Sequence, residues 1–247
     1  MIKSILFKQL ISRLYNLYFS VNLTPKELEI TDNTKCLLLS PHADDETIGC
    51  GGTLLQHSSK FDVYCLTNGF KGIKNPEMTY EERVETRKKE FVEAMEKASV
   101  NYFHFFEDID DKRLVMRYDR FKTINISDFD YIFIPNILDQ HRDHKAVAVL
   151  LNELLDYKPH KKDVKIVMYE VWQTLALPNA FVNIENTIED KINLLETYKS
   201  QNATRNYTET IRGLNLYRGL TPRCKYAEAF TVLDINEFKK ICKVYSV

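Results

Sequence analysis

Five short apolar runs, spaced by longer amphipathic stretches, constrain this chain more than any other feature. "KCLLLSP" (35–41), "DVYCLTNG" (62–69), "NYFHFFE" (101–107), "YIFIPN" (131–136) and "VKIVMYEVW" (164–172) read as strands. Between them, "GCGGTLLQHSS", "YEERVETRKKEFVEAMEKASV" and "HKAVAVLLNELLDYK" repeat their apolar residues at intervals of three and four, the helical period. Strands that are apolar at successive positions belong to a parallel sheet covered on both faces. The pattern therefore predicts an α/β fold, a Rossmann-like, doubly wound, mostly parallel sheet with helices on both faces. "NAFVNIE" and "KYAEAFTVL" predict later strands, "IEDKINLLETYKSQ" a helix, and 108–130 a mixture of loop and short helix. No repeat or linker divides the 247 residues, and 44% hydrophobic content is enough for a single large core.

In a doubly wound sheet of order 3-2-1-4-5 the first and fourth strands are neighbours where the winding reverses, and ligands bind at their carboxyl ends. Here the first strand runs into "SPHADDE" and the fourth into "NILDQHRDH". Three of the six histidines, His42, His141 and His144, fall in these two clusters. A catalytic divalent metal takes imidazole nitrogen and carboxylate oxygen from three protein ligands and keeps a position open. The H-x-x-D of His42 and Asp45 supplies two ligands on one turn, and the returning H-x-D-H can supply a third. A carboxylate beside such an ion, as Asp44 is placed, can take the proton of an attacking water. Acids buried at a strand end without a cation would be costly. The glycines of "GCGG" lack the spacing of a dinucleotide fingerprint, so close packing of the helix against the sheet is their expected purpose.

"PHADDETIGCGG" and "HRDH" resemble the P-H-P-D-D-E and H-P-D-H segments of the zinc-dependent N-acetylglucosaminyl de-N-acetylases, the PIG-L/LmbE-like family. Weaker echoes are "LTNG" at 66–69, the R-x-x-E of Arg87 and Glu90, "YKSQ" at 198–201 and "YAEAF" at 226–230. The resemblance implies that His42, Asp45 and His144 bind one Zn2+ ion, that Asp44 is the general base, and that His141 acts near the reacting carbonyl with Asp143 orienting it. It implies that Arg87 binds substrate. Ala43 and Arg142 stand where the family has prolines. The implied activity is removal of an N-acetyl group from an amino sugar or sugar conjugate in glycan or glycolipid biosynthesis. An amidase on a sugar–thiol conjugate and a non-catalytic carbohydrate-binding protein are the alternatives, and a donor set of two imidazoles and one carboxylate also accepts Fe2+. A nucleotide-dependent enzyme on the same fold would instead bind its cofactor at Gly49–Gly52.

A net charge of −1 gives no general attraction for nucleic acid. Five cysteines without a C-x-x-C pair are expected to be reduced thiols of a cytoplasmic protein. "MIKSILFKQLISRLYNLYFSVNL" predicts an amphipathic cationic helix over 1–24, preceding a deacetylase-like domain at 35–247. Packing on its own domain or on a second subunit is weighed there against peripheral contact of residues 1–21 with the inner membrane face. The Tyr-, Asn- and Arg-rich "TYKSQNATRNYTETIRGLNLYRGL" suits either sugar binding or a subunit interface.

Overall fold

The computed structural model describes residues 24–203 and 205–244, so the N-terminal helix expected over 1–24, and with it the membrane contact expected of residues 1–21, falls outside them apart from residue 24. Five strands form the expected parallel core: β2 (Cys36–Ser40), β3 (Phe61–Cys65), β4 (Tyr102–Phe105), β5 (Tyr131–Pro135) and β6 (Lys165–Tyr169). β1 (Lys26–Glu27), β7 (Ala180–Asn183) and β8 (Ala227–Asp234) complete an eight-stranded sheet of order β1-β7-β8-β6-β5-β2-β3-β4. Counted along the chain, β2 to β6 have the order 3-2-1-4-5, and β2 pairs in parallel with both β3 and β5. β8 enters antiparallel between β6 and β7.

Alternation along β2 builds a core on each face, since successive side chains of a strand point to opposite sides. Cys36 and Leu38 join Leu54, Phe91, Ile192 and Ile211, whereas Leu37 and Leu39 join Leu151, Leu154 and Phe238. The first layer packs under α1 (Asp45–His57), α2 (Tyr80–Lys97), α5 (Ile188–Leu195) and α7 (Tyr207–Gly219). The second packs under α4 (Arg142–Tyr157) and α8 (Ile235–Val244), and the short α3 (Tyr118–Phe121) lies in the segment read as loop and short helix. The helix expected over 188–201 is two helices: α5 ends at Leu195 and α6 (Lys199–Asn202) restarts after Tyr198, whose ψ of 61° is not helical.

Glycine packing in α1 is as tight as expected. A Cβ on Gly52 would lie 2.6 Å from Ile184 Cγ2, and one on Gly49 would lie 2.9 Å from the Glu170 carbonyl oxygen. All five cysteines are free. Among the described residues no helix is long and apolar enough to cross a membrane.

Candidate metal centre

β2 ends at Ser40, and the chain turns through residues 41–44 into α1. Asp44 closes the turn at φ 139°, a strained conformation for a residue with a side chain. The turn sends three consecutive acids in three directions. Asp44 Oδ2 lies 3.5 Å from Arg87 Nη2. Asp45 Oδ2 lies 3.0 Å from His42 Nδ1 and 3.1 Å from His144 Nε2. Glu46 is fully buried and accepts hydrogen bonds from Ser40 Oγ at 2.9 Å, Thr47 Oγ1 at 2.9 Å and the Tyr198 hydroxyl.

From the neighbouring β5, residues 136–141 lead into α4, whose start carries the second cluster. His141 caps this helix, its Nδ1 accepting the Asp143 backbone N–H at 3.3 Å. His144, on the first turn, reaches across to the β2 loop: its Nε2 is 3.4 Å from His42 Nδ1. His42 Nδ1, Asp45 Oδ2 and His144 Nε2 thus form a triangle with sides of 3.0, 3.1 and 3.4 Å. Ligands of a tetrahedral ion bonded at ~2.0–2.2 Å stand roughly 3.3–3.6 Å apart, so the triangle has nearly the size of a metal's donor set. The ring nitrogens of His42, His141 and His144 also lie within 4.8 Å of one another, which makes His141 an alternative third donor.

The far side of each triangle histidine meets a buried carboxylate. His42 Nε2 is 3.1 Å from Asp143 Oδ2, and His144 Nδ1 is 3.1 Å from Asp139 Oδ2. The His42 contact is a hydrogen bond, which fixes the tautomer and aims the other nitrogen at an ion, and the Asp139 carboxylate sets negative charge against His144. The charge balance points the same way, for Asp44, Asp45, Glu46, Asp111, Asp139 and Asp143 are all buried and Arg87 is the buried cation beside them. Burial works to lower the pKa of both triangle histidines. The Asp143 and Asp45 contacts nonetheless hold His42 well above its usual range, and Asp45 with Asp139 pushes His144 up to about 9. The carboxylates demand positive charge at this point, and a divalent cation in place of the protons satisfies them. The residues therefore fit a metal.

Asp44 behaves differently from its neighbours. Burial pushes its carboxyl up to about 7 against the opposing pull of Arg87, whereas the histidines hold Asp45 far below the carboxylate range despite its burial. Two adjacent acids thus differ sharply in their hold on a proton.

Two expectations change. The Asp143 carboxylate does not orient His141: it holds His42 Nε2 and accepts the Lys112 N–H at 2.6 Å, while its oxygen stays 4.0 Å from His141 Nδ1. Burial and the neighbouring His42 and His144 lower the pKa of His141. Arg87, expected to bind substrate, is 2% exposed. Its guanidinium donates to the Ala43 carbonyl, to Ser200 Oγ at 3.3 Å and to Glu90 Oε2 at 3.2 Å, so it positions the Asp44 turn.

Asp139 escaped the sequence reading, although "DQHRDH" shows it two residues before His141. It also accepts the backbone N–H groups of His141 at 2.8 Å and Trp172 at 3.0 Å. Each weak echo proves to be a brace of the site or of α1. Thr67 of "LTNG" donates to the Pro41 carbonyl at 2.8 Å, and Ser200 of "YKSQ" donates to both Glu90 oxygens, at 2.6 and 2.7 Å. Glu228 of "YAEAF" pairs with fully buried Lys191 at 2.6 Å and accepts the Gly52 and Thr53 N–H groups of α1.

Fold and site together define an α/β protein with a His–Asp pocket able to hold a divalent ion at the sheet's switch point. Residues 37–155 match the family model PIG-L, GlcNAc-PI de-N-acetylase, a stretch that includes both halves of the pocket. Among solved structures it is similar to an N,N'-diacetylchitobiose deacetylase from Pyrococcus horikoshii, with TM-score 0.74 and 21% identity over 93% of this chain and 94% of that one. A deacetylase in the biosynthesis pathway of teicoplanin has TM-score 0.61 and 17% identity over 81% and 98% of the two chains. The 4-carboxy-2-hydroxymuconate hydratase GalB from Pseudomonas putida has TM-score 0.65 and 20% identity over 81% and 96%. At such identities the likeness is one of fold, and the hydratase shows that this fold hosts more than one reaction.

Proposed function

We propose that this chain is a metal-dependent de-N-acetylase acting on an acetamido sugar or its conjugate. The observation that carries the reading is the triangle of His42, Asp45 and His144, each histidine backed by a buried carboxylate. These three hold the ion; Asp45 is preferred to His141 as third ligand because its oxygen approaches both other donors while His141 Nδ1 already accepts an N–H. Zn2+ is the ion expected and Fe2+ the substitute. When bound, it supplies Lewis-acid polarisation of the acetamide carbonyl and the attacking water.

The remaining work falls to side chains. Asp44 accepts a proton from the water as its oxygen bonds to the carbonyl carbon. His141, whose Nδ1 is an acceptor, carries its proton on Nε2 and offers that N–H to the developing oxyanion. As the C–N bond breaks, Asp44, near 7 and so able to give the proton back, protonates the amine. Acetate and a free amino sugar result. The family match and the deacetylase neighbours support this bond choice, and a role in glycan or glycolipid assembly follows from it as part of the proposal.

The test is acetate release from a panel of free, nucleotide-linked and lipid-linked N-acetyl sugars, before and after chelation and with Zn2+ or Fe2+ restored. Metal-restorable acetate release is expected. Release of a larger acid from a thiol conjugate alone, or turnover indifferent to chelation, overturns the reading.

A further inference from the structure

The chain's single tryptophan, Trp172, lies just beyond β6 and is 47% exposed. Its backbone N–H and that of Gln173 both donate to Asp139 Oδ2, at 3.0 and 3.2 Å, the same oxygen that backs His144. The Trp172 backbone is therefore one carboxylate removed from the metal pocket. The other end of its loop is tied as firmly, since Glu170 accepts the Leu175 N–H at 2.6 Å while Arg218 bonds both Glu170 and the Leu175 carbonyl. An exposed aromatic on so fixed a loop is a preformed platform rather than a stray surface residue.

Two residues, one before α7 and one at its start, complete a wall. The Arg205 guanidinium stands 4.5 Å from the indole centroid, and the Tyr207 ring lies 6.0 Å from it at 55°. Burial, with the charges of Asp44 and Asp45, raises the pKa of the Tyr207 hydroxyl against the opposing pull of Arg205. Arg205 is exposed and has no ion-pair partner among the described residues. From it opens a cleft of about 610 Å³, lined also by Lys199, Glu196, Asn202, Asn206 and Thr208, so two cations face one acid.

We propose that Trp172, Tyr207 and Arg205 form a substrate subsite in which a sugar ring stacks on the indole and an acidic substituent of that ring, or of its neighbour, is held by Arg205. The proposal rests on the deacetylase reading for which end of the ligand reaches the metal. The ligand chemistry is a carbohydrate bearing phosphate or carboxylate. Stacking gives affinity with little ordering cost, and a guanidinium forks onto both kinds of acid.

Because Trp172 is the only indole, its fluorescence reports this subsite directly. Asp44→Asn protein, which binds without turnover, is titrated with N-acetylglucosamine, N-acetylglucosamine 1-phosphate, N-acetylmuramic acid and inorganic phosphate. Saturable emission changes are expected with the sugars and not with phosphate alone. At least one acidic sugar should bind more tightly than the neutral one, and which one separates phosphate from carboxylate. Adding Arg205→Ala should weaken the acidic sugar about tenfold, leave the neutral sugar within twofold, and Arg205→Lys should restore part of the loss. In the active chain Arg205→Ala should raise KM for the acidic substrate and spare kcat. Flat titrations, equal loss for neutral and acidic sugars, or emission that changes only with protein concentration, as a subunit contact would give, overturn the proposal. Saturable binding without acetate release from any N-acetyl sugar instead overturns the deacetylase reading and leaves the subsite standing.

Discussion

The two loops that meet at the pocket are stabilised in opposite ways. The loop after β5 is built largely on short-range bonds, the Asn136 carbonyl accepting the Asp139 N–H at 2.9 Å, Asp139 the His141 N–H, and His141 capping α4, with its outside ties going to one neighbour, the chain after β6. The loop after β2 is held from a distance, by Thr67 on the Pro41 carbonyl, Arg87 on the Ala43 carbonyl and Tyr198 on Glu46, and it carries the strained Asp44. A loop built mostly on short-range bonds can present ligands. A loop braced by several elements can hold a strained base, because the surrounding fold over-determines it.

The contrast breaks first at Asp44, where the largest effect is expected. Asp44→Asn should lower kcat about 10²–10⁴-fold with metal content unchanged, as loss of a general base alone would do. Activity of the parent should fall on the acid side of about pH 7 as Asp44 takes up its proton. Stability should move the other way in metal-free protein. The carboxyl stays protonated to about 7 when folded but only to about 3.8 when unfolded. Between those values the folded state binds more protons, so stability declines as pH rises. Asp44→Asn removes that slope, and denaturant melts at pH 4.5 and 7.5 check it. A variant that also loses its metal would show that the strained turn and the ligand triangle are one unit.

Next comes the loop after β5. Asp139→Asn should weaken metal binding about 10–100-fold, since it removes the charge behind His144 and disturbs the His141 N–H contact. Asp143→Asn should weaken it within the same range through His42. Competition with a metal-sensitive dye measures both. If either variant holds metal as well as the parent, the backing carboxylates are not part of the centre.

A smaller effect tests the remote bracing of the β2 loop through α1. Gly52→Ala puts a methyl 2.6 Å from Ile184 Cγ2 and 2.8 Å from its Cβ, and should cost about 1–3 kcal/mol in denaturant unfolding. It should also lower kcat by displacing Asp44. Full stability and activity would mean that α1 can shift freely under its loop.

The reach of a loop's bonds also decides what could be read from the chain. Apolar runs and helical spacing carried the five-stranded core, because burial on both faces of a parallel sheet writes itself into consecutive residues such as Leu37–Leu39. The two-residue β1 has no such run, and its partners at Ala180 and Phe181 are set by the tertiary fold. The histidines converge as the topology demands. Their carboxylate partners were harder to assign, since Asp143 lies only two residues from His141 in sequence but bonds His42, 101 residues away. Arg87 was visible as a functional arginine, yet its job of holding the Ala43 carbonyl depends on packing between α2 and the β2 loop that no local pattern records.

The smallest effect addresses the position where this chain departs from the proline of its resembling family. Arg142 is the first residue of α4, is exposed, and forms no ion pair among the described residues. Proline suits that first position, where the backbone N–H has no helical partner. It also requires the preceding residue to be extended, and His141 already is, at φ −69° and ψ 132°. Arg142→Pro should therefore raise stability by about 0.5 kcal/mol through the unfolded chain, with metal affinity and kcat within twofold of the parent. A loss of stability, or a displaced His141 seen as lower kcat, would mean that the start of α4 depends on contacts of Arg142 itself and that the two loops are braced more alike.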